Sequence, residues 1–202
     1  MSVSFEDSVT KENLMRAFAG ESLARNRYTI AAQQARKSGL PVIEAVFTFT
    51  ANQEKEHAEI FYKHLNQVAE TNIAIDGTYP VDISHDVAKL LRFAQHNEFE
   101  EHEDVYKKFE EKAREEGFQD IAGSFHMIGA VEKTHGERFG LFADLLEQNK
   151  LFVSDVKTSW MCLQCGNIYT GTAVPEKCPV CGHEKGYYVR LELAPYTTLP
   201  KA

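Results

Sequence analysis

Four long segments of this chain carry apolar residues at steps of three and four, the spacing of one helix face, and ionisable residues interrupt each of these stripes near its middle. Over residues 11–37 the stripe reads Leu14, Phe18, Glu21, Arg25, Tyr28, Ala32, and over 42–69 it reads Phe47, Thr50, Glu54, His57, Phe61, His64, Val68. Over 86–116 it reads Val87, Leu91, Ala94, Glu98, Glu101, Val105, Phe109, and over 118–149 Ile121, Phe125, Ile128, Glu132, His135, Phe139, Phe142, Leu146. Isolated carboxylates turned inward lose several kcal/mol each to desolvation, so a fold that buries these five must bring cations to them.

The breaks between the segments set the connectivity. "SGLP" (38–41) and "EEGF" (115–118) are too short for anything but antiparallel hairpins. The stretch "ETNIAIDGTYPVDISH" (70–85) is different. At roughly 3.3 Å per residue it reaches about 50 Å, enough to run the length of a neighbouring helix of roughly 42 Å. Two hairpins joined by one long crossover is the connectivity of the ferritin-like four-helix bundle. The fold class read here is mainly α: that bundle over residues 1–150, followed by a small β-rich domain over 151–202. Past Lys150 the helical period stops, and Gly, Pro, Cys and aromatic residues accumulate among short β-prone runs. A unit of roughly 50 residues has a marginal core, so a bound metal would contribute to its folding.

The interruptions repeat. Glu54-x-x-His57 and Glu132-x-x-His135 place the same pair on the second and fourth segments, and Glu21 and Glu98 precede them by nearly equal distances. The donors are thus duplicated: one Glu helix and one Glu-x-x-His helix, twice over. This matches the known donor pattern of di-iron and di-manganese carboxylate bundles. Residues at i and i+3 share a helix face, so each Glu can bridge two metals while its His binds one. Carboxylates suit hard ferric or manganic ions, and imidazole holds ferrous iron.

The cysteines are Cys162, Cys165, Cys178 and Cys181, as CxxC-Gly and CPxC-Gly. In a reducing compartment two such pairs read as metal ligands before disulfides. Spacing alone leaves iron and zinc both open for a tetrahedral sulfur site. Gly166 and Gly182 permit tight knuckles whose amides point at sulfur. Together with "NEFEEHEDVY" and "EKTHGERF", these motifs make the chain resemble rubrerythrins from Glu21 to the last cysteine pair.

That resemblance implies two irons in an oxo-bridged site and one iron on the four cysteines. It implies that Glu54 and Glu132 bridge, that Glu21 is terminal on one iron, and that Glu98 and His135 complete the other. Glu101 has no counterpart on the first segment, where Ala24 stands. In the family such an extra carboxylate ligates iron in the oxidised state, and the histidine matching His57 replaces it on reduction. The exchange would hold the buried charge within about one unit over two electrons. Tyr28 and Tyr106 are candidate hydrogen-bond or proton donors near the site. His64 reads as core or boundary, and His85, His96, His102, His126 and His183 show no ligand pattern.

The implied function is a peroxidase that reduces hydrogen peroxide to water in oxidative-stress defence. Electrons would come through the four-cysteine iron from an external donor, such as a rubredoxin or an NAD(P)H-dependent reductase, in a homodimer or larger assembly. The alternative is a ferroxidase or iron-binding ferritin-like protein with a structural zinc ribbon. It fits less well, because ferroxidation needs no reductant feed. A formal charge of −8 repels phosphate backbones and argues against a nucleic-acid partner. No run approaches the length of a membrane span, and "MSVSFEDSVT" has no basic, then apolar, leader pattern. A cytoplasmic location is the expectation.

Overall fold

A computed structural model describes residues 3–197 of the chain. Helix α1 (Val9–Lys37) begins two residues before the segment read from the sequence (11–37), because the Ser8 hydroxyl caps it by accepting a hydrogen bond from the Lys11 amide. Helix α2 (Pro41–His64) opens with Pro41, whose missing N–H leaves nothing unsatisfied in a first turn, and tightens into a 3-10 turn at Leu65–Val68. After the crossover, Asp86 caps α3 (Val87–Glu100) by accepting from the Ala88 and Lys89 amides. Helix α4 (Tyr106–Glu116) follows, and then α5 (Gln119–Glu147).

The hairpin turns are built alike. The Leu40 amide donates to Ala35 O and the Gly39 amide to Arg36 O, with Gly39 at φ 72°. Phe118 and Gly117 make the equivalent pair to Ala113 and Arg114. This double closure needs a left-handed residue, which glycine adopts without a Cβ penalty.

Residues 86–116 do not form one continuous α-helix. Between α3 and α4 a π turn spans Glu101–Val105, and each such turn inserts an extra residue into the helical register. Its effect on the buried face is direct. The stripe read from sequence ran through Val105 and Phe109, whereas the fully buried side chains beyond Glu101 are Tyr106 and Ala113. A second correction falls on α1, where Arg25 is exposed and Ala24 occupies the interior position. Both lie within a turn of Glu21, and burying alanine avoids desolvating a guanidinium.

Helices α1 and α2 pack as one hairpin, and α5 packs against α3 and α4 as the other. The core is split. One cluster includes Tyr28, Ile43, Phe47, Leu91, Phe139 and Phe142; the other includes Leu14, Phe61, Tyr106, Ile121, Phe125 and Ile128. Between them lies the layer of ionisable side chains. The two apolar clusters hold it from both ends, each large buried side chain contributing about 1.5–3 kcal/mol.

Strands β1 (Val153–Cys162), β2 (Ile168–Ala173) and β3 (Tyr188–Arg190) form an antiparallel sheet in the order β2-β1-β3. Trp160 on β1 faces Tyr169 and Arg190 across the two pairings and is buried with Cys162, Val174, Cys178 and Tyr188. Leu151, Val189 and Leu191 join the first bundle cluster, so this unit seats on the end of the bundle. The contact is close at Gly186, where a Cβ would clash with the Gly39 carbonyl oxygen. No helix among the described residues is long and apolar enough to cross a membrane.

The N-terminus of α1 is tied to α4 by one carboxylate. Glu116 accepts from the Val9 amide (3.1 Å), the Thr10 amide (2.9 Å) and the Thr10 hydroxyl (2.6 Å). Partial burial opposes its charge, but these hydrogen bonds outweigh that and hold its carboxyl below the usual value. Glu116→Gln is expected to lower stability by about 1 kcal/mol, or about 2–4 °C in Tm. Because the folded-state value is depressed, this contribution is full above the unfolded carboxylate pKa and is lost as pH falls through the folded one. Thermal melts of parent and variant should therefore converge in acid and separate at neutral pH.

Candidate metal centres

Two sets of donors converge in the layer between the core clusters. Glu21, Glu54, His57 and Glu132 form the first, and Glu54, Glu98, Glu132 and His135 the second; within each, the ligand atoms lie within 4.8 Å of one another. Glu54 and Glu132 belong to both. His57 Nδ1 is 3.0 Å from Glu54 Oε2 and 3.0 Å from Glu132 Oε1, and His135 Nδ1 is 3.0 Å from Glu54 Oε1 and 2.9 Å from Glu132 Oε2. The two imidazoles are nearly parallel, with ring centroids 5.5 Å apart. The duplicated pattern of the sequence is thus an approximate two-fold axis in space.

The donor set fits a pair of metal ions on its own chemistry. Every one of these six side chains is buried. Glu21 Oε2, both oxygens of Glu54 and of Glu132, Glu98 Oε2, His57 Nδ1 and both nitrogens of His135 have no hydrogen-bond partner. Contacts near 3.0 Å that lack hydrogen-bond direction are what lone pairs aimed at common points produce. Burial and neighbouring carboxylates push the Glu21 and Glu132 carboxyls well above the usual range. Burial opposes charge on His135, yet Glu132, Glu54 and Glu98 more than offset it and push the imidazole up to about 11. Cationic charge is therefore demanded at the centre of the layer.

The tyrosines obey the same axis. Tyr28, seven residues after Glu21, donates across the bundle to Glu98 Oε1; Tyr106, eight residues after Glu98, donates to Glu21 Oε1. The difference of one residue is the π turn. Burial and the adjacent carboxylates raise both phenols well above their ordinary value, so each keeps its proton and remains a donor. Gly129 on α5 lets Tyr106 approach, since a Cβ there would lie 3.2 Å from the Tyr106 Cβ.

Glu101 stands outside both donor sets. It is half-buried at the start of the π turn and lines a cavity of about 200 Å³ together with Arg27, Tyr79, Asn97 and Tyr106. Sequence reasoning placed Glu101 among the candidates but missed Arg27, Asn97 and Tyr79. A signal existed for two of them: Arg27 adjoins Tyr28, and Asn97 lies one turn before Glu101 on its own face.

The cysteines make the second centre. Their four sulfurs lie within 4.8 Å of one another, with Cys162 and Cys181 3.8 Å apart and Cys165 and Cys178 3.7 Å apart. These separations exceed a disulfide bond and suit a tetrahedron of thiolates around one ion. Each pair is held by a knuckle: the Gly166 amide donates to Cys162 O and the Gly182 amide to Cys178 O, with φ of 76° and 74°. Burial opposes the Cys178 thiolate, but the Tyr188 hydroxyl and the Cys181 and Val180 amides stabilise it and lower its pKa to about 6.

A family model described as Rubrerythrin matches residues 12–143, and one described as Rubrerythrin, rubredoxin-like domain matches residues 160–189. The rubrerythrin of Clostridium perfringens is 40% identical over 92% of this chain and 95% of its own. The chain belongs to the rubrerythrin family. The rubrerythrin of Nitratidesulfovibrio vulgaris is 37% identical over 92% of this chain and 95% of its own. A mixed-valent structure of nigerythrin aligns with a TM-score of 0.62 at 29% identity, over 94% of this chain and 88% of that one. Like other rubrerythrins, the chain carries the Glu/His residues of a di-iron site and a rubredoxin-like four-cysteine cluster.

Proposed function

We propose that the protein is a rubrerythrin-type peroxidase in which a bundle unit (1–150) reduces hydrogen peroxide and a rubredoxin-like unit (151–202) feeds it electrons. The observation that carries this reading is the pair of donor sets sharing Glu54 and Glu132, with His57 inside one set and Glu101 outside it beside a cavity. Glu54 and Glu132 would bridge two irons, Glu21 would be terminal on one, and Glu98 and His135 would complete the other. Iron bound there supplies Lewis acidity and the two electrons that cleave an O–O bond.

The side chains do the rest. Tyr28 and Tyr106 fix the orientation of Glu98 and Glu21 by donating one hydrogen bond to each, leaving the second oxygen free for metal. Glu101 and His57 would exchange with redox state: His57 would hold the position when the iron is reduced, and Glu101 would enter on oxidation. The half-buried Glu101 carboxyl, displaced toward the cavity, can also carry a proton to the departing oxygen.

Electrons would arrive from a rubredoxin or an NAD(P)H-dependent reductase through Cys162, Cys165, Cys178 and Cys181. That cluster belongs to the unit seated at the α1–α2 turn, whereas Glu21 lies 16 residues before the end of α1, roughly 24 Å along the axis. This separation favours a homodimer in which the cysteine unit of one copy approaches the bundle of the other. Two close cysteine pairs used as metal ligands fit a reducing compartment, which supports a cytoplasmic location.

The test is anaerobic. Iron-loaded protein should show thiolate-to-iron colour that bleaches with reductant and returns stoichiometrically on addition of peroxide, faster than with dioxygen. Glu101→Ala should slow the peroxide step and leave the reduced-state ligation unchanged. A colourless protein at full iron loading, or Fe(II) oxidation that outpaces peroxide reduction, would favour the ferroxidase reading.

A further inference from the structure

The cavity beside Glu101 holds a cation that the exchange of ligands has not yet used. Arg27 projects from α1 into that cavity with its side chain 17% exposed, and its Nε is buried without a hydrogen-bond partner. The facing carboxylate is Asp82, on the crossover, whose Oδ2 is 3.9 Å from Arg27 Nε. That same oxygen already accepts a 2.7 Å hydrogen bond from Asn97 Nδ2. Arg27 is therefore loosely paired, with donors to give. The crossover that carries Asp82 is itself fastened over the cavity: Tyr79 donates to Arg16 O, and Arg16 pairs with Asp76 at 2.9 Å.

Glu101 needs what Arg27 offers. Burial and the charges of Glu98 and Glu54 act against its carboxylate, and Arg27 is the cation that opposes them. A carboxylate removed from a metal into a half-buried cavity has lost its counter-charge, and a guanidinium restores it with directional hydrogen bonds. We propose that Arg27 is a positioning residue: Asp82 faces its guanidinium in this structure, and in the iron-loaded protein a Glu101 carboxylate displaced from the metal site would take that guanidinium from Asp82, so the two acids compete for one cation. Arg27 would thus set the balance between Glu101 and His57 at the iron. This inference rests on the exchange proposed above.

The experiment uses the full-length, iron-loaded protein in crystals before and after dithionite reduction, with redox titration of both centres. In the parent, reduction should bring His57 to the iron and send Glu101 to Arg27. Arg27→Met should keep Glu101 on the iron in both states, and the retained anion should lower the di-iron potential. A tenfold shift in the exchange equilibrium corresponds to about 30 mV for a two-electron couple. Asp82→Asn should act in the opposite sense, and Arg27→Lys should restore the exchange in part. The potential of the four-cysteine centre should not move in any of them, which identifies a variant that has simply misfolded.

If Arg27→Met exchanges its ligands as the parent does, the inference is overturned, even where the potential shifts, because such a shift is plain through-space charge. Should the parent itself show the same ligands in both states, the exchange fails and this inference with it.

Discussion

Replacing Glu54 with glutamine is expected to empty the bundle of iron while leaving the four-cysteine centre loaded, and to lower peroxide turnover by well over about 10²-fold. The magnitude follows from where Glu54 stands. Substitutions that only touch a ligand's outer support cost about 10–100-fold in metal affinity or activity, and Glu54 is a donor common to both sets. Its carboxylate contacts His57 on one side and His135 on the other, each at 3.0 Å. The amide of glutamine has the same shape but no charge, and its nitrogen has no lone pair to give, so one bridging anion becomes one neutral acceptor. Volume is preserved, so the variant should retain its helical circular dichroism. Metal analysis beside the visible spectrum makes the check, since the thiolate colour should survive. Bundle iron at the parental level in Glu54→Gln would mean that the shared position does not bridge.

The same geometry shows why the site was legible in the sequence. Each donor interrupts an apolar stripe, and a stripe's phase fixes which of several neighbouring acids faces inward. Of the three glutamates around His57, the structure buries Glu54, leaves Glu56 exposed and puts Glu59 at the edge, paired with Lys63. Helical periodicity carries that information locally. It carries none about the crossover, whose residues follow no period, so Asp82 and Tyr79, with the cavity that Tyr79 lines, had no signal. Arg25 and Ala24 show the limit of phase alone: both fall within the width of the stripe, and only the difference in desolvation decides between them.

The π turn is an intermediate case. Its trace is in the sequence, as the step from seven residues (Glu21 to Tyr28) to eight (Glu98 to Tyr106). That trace can be read only once the two tyrosines are known to reach across to each other's glutamate. The extra residue lies beyond Glu101, whose own amide still donates to Asn97 O, so it shifts Tyr106 and everything after it relative to the first hairpin. A local irregularity of the backbone thereby creates the asymmetry that the duplicated ligands lack.

Cys178→Ser is expected to separate the two units functionally: steady-state turnover with an external electron donor should fall by at least about 10²-fold, while chemically reduced protein still consumes peroxide in a single turnover. Cys178 is the cysteine whose thiolate is best prepared. Against the penalty of burial, the Tyr188 hydroxyl and the amides of Val180 and Cys181 lower its pKa to about 6. A serine hydroxyl in the same place stays protonated at neutral pH and gives a hard neutral oxygen where a soft anion is needed. The loss reaches the fold of the unit, because Cys178 is buried with Trp160 and Tyr188 in a small core, and metal binding in so small a unit is folding free energy. Trp160 fluorescence should therefore become sensitive to mild denaturant in the variant, while the bundle melts as before. The single-turnover arm decides the meaning: if both it and steady-state turnover survive, electrons enter the bundle without the cysteine iron. If both are lost, the C-terminal unit supports the bundle site structurally through its seat on Leu151, Val189 and Leu191. Survival of the single turnover alone is the outcome that a relay requires.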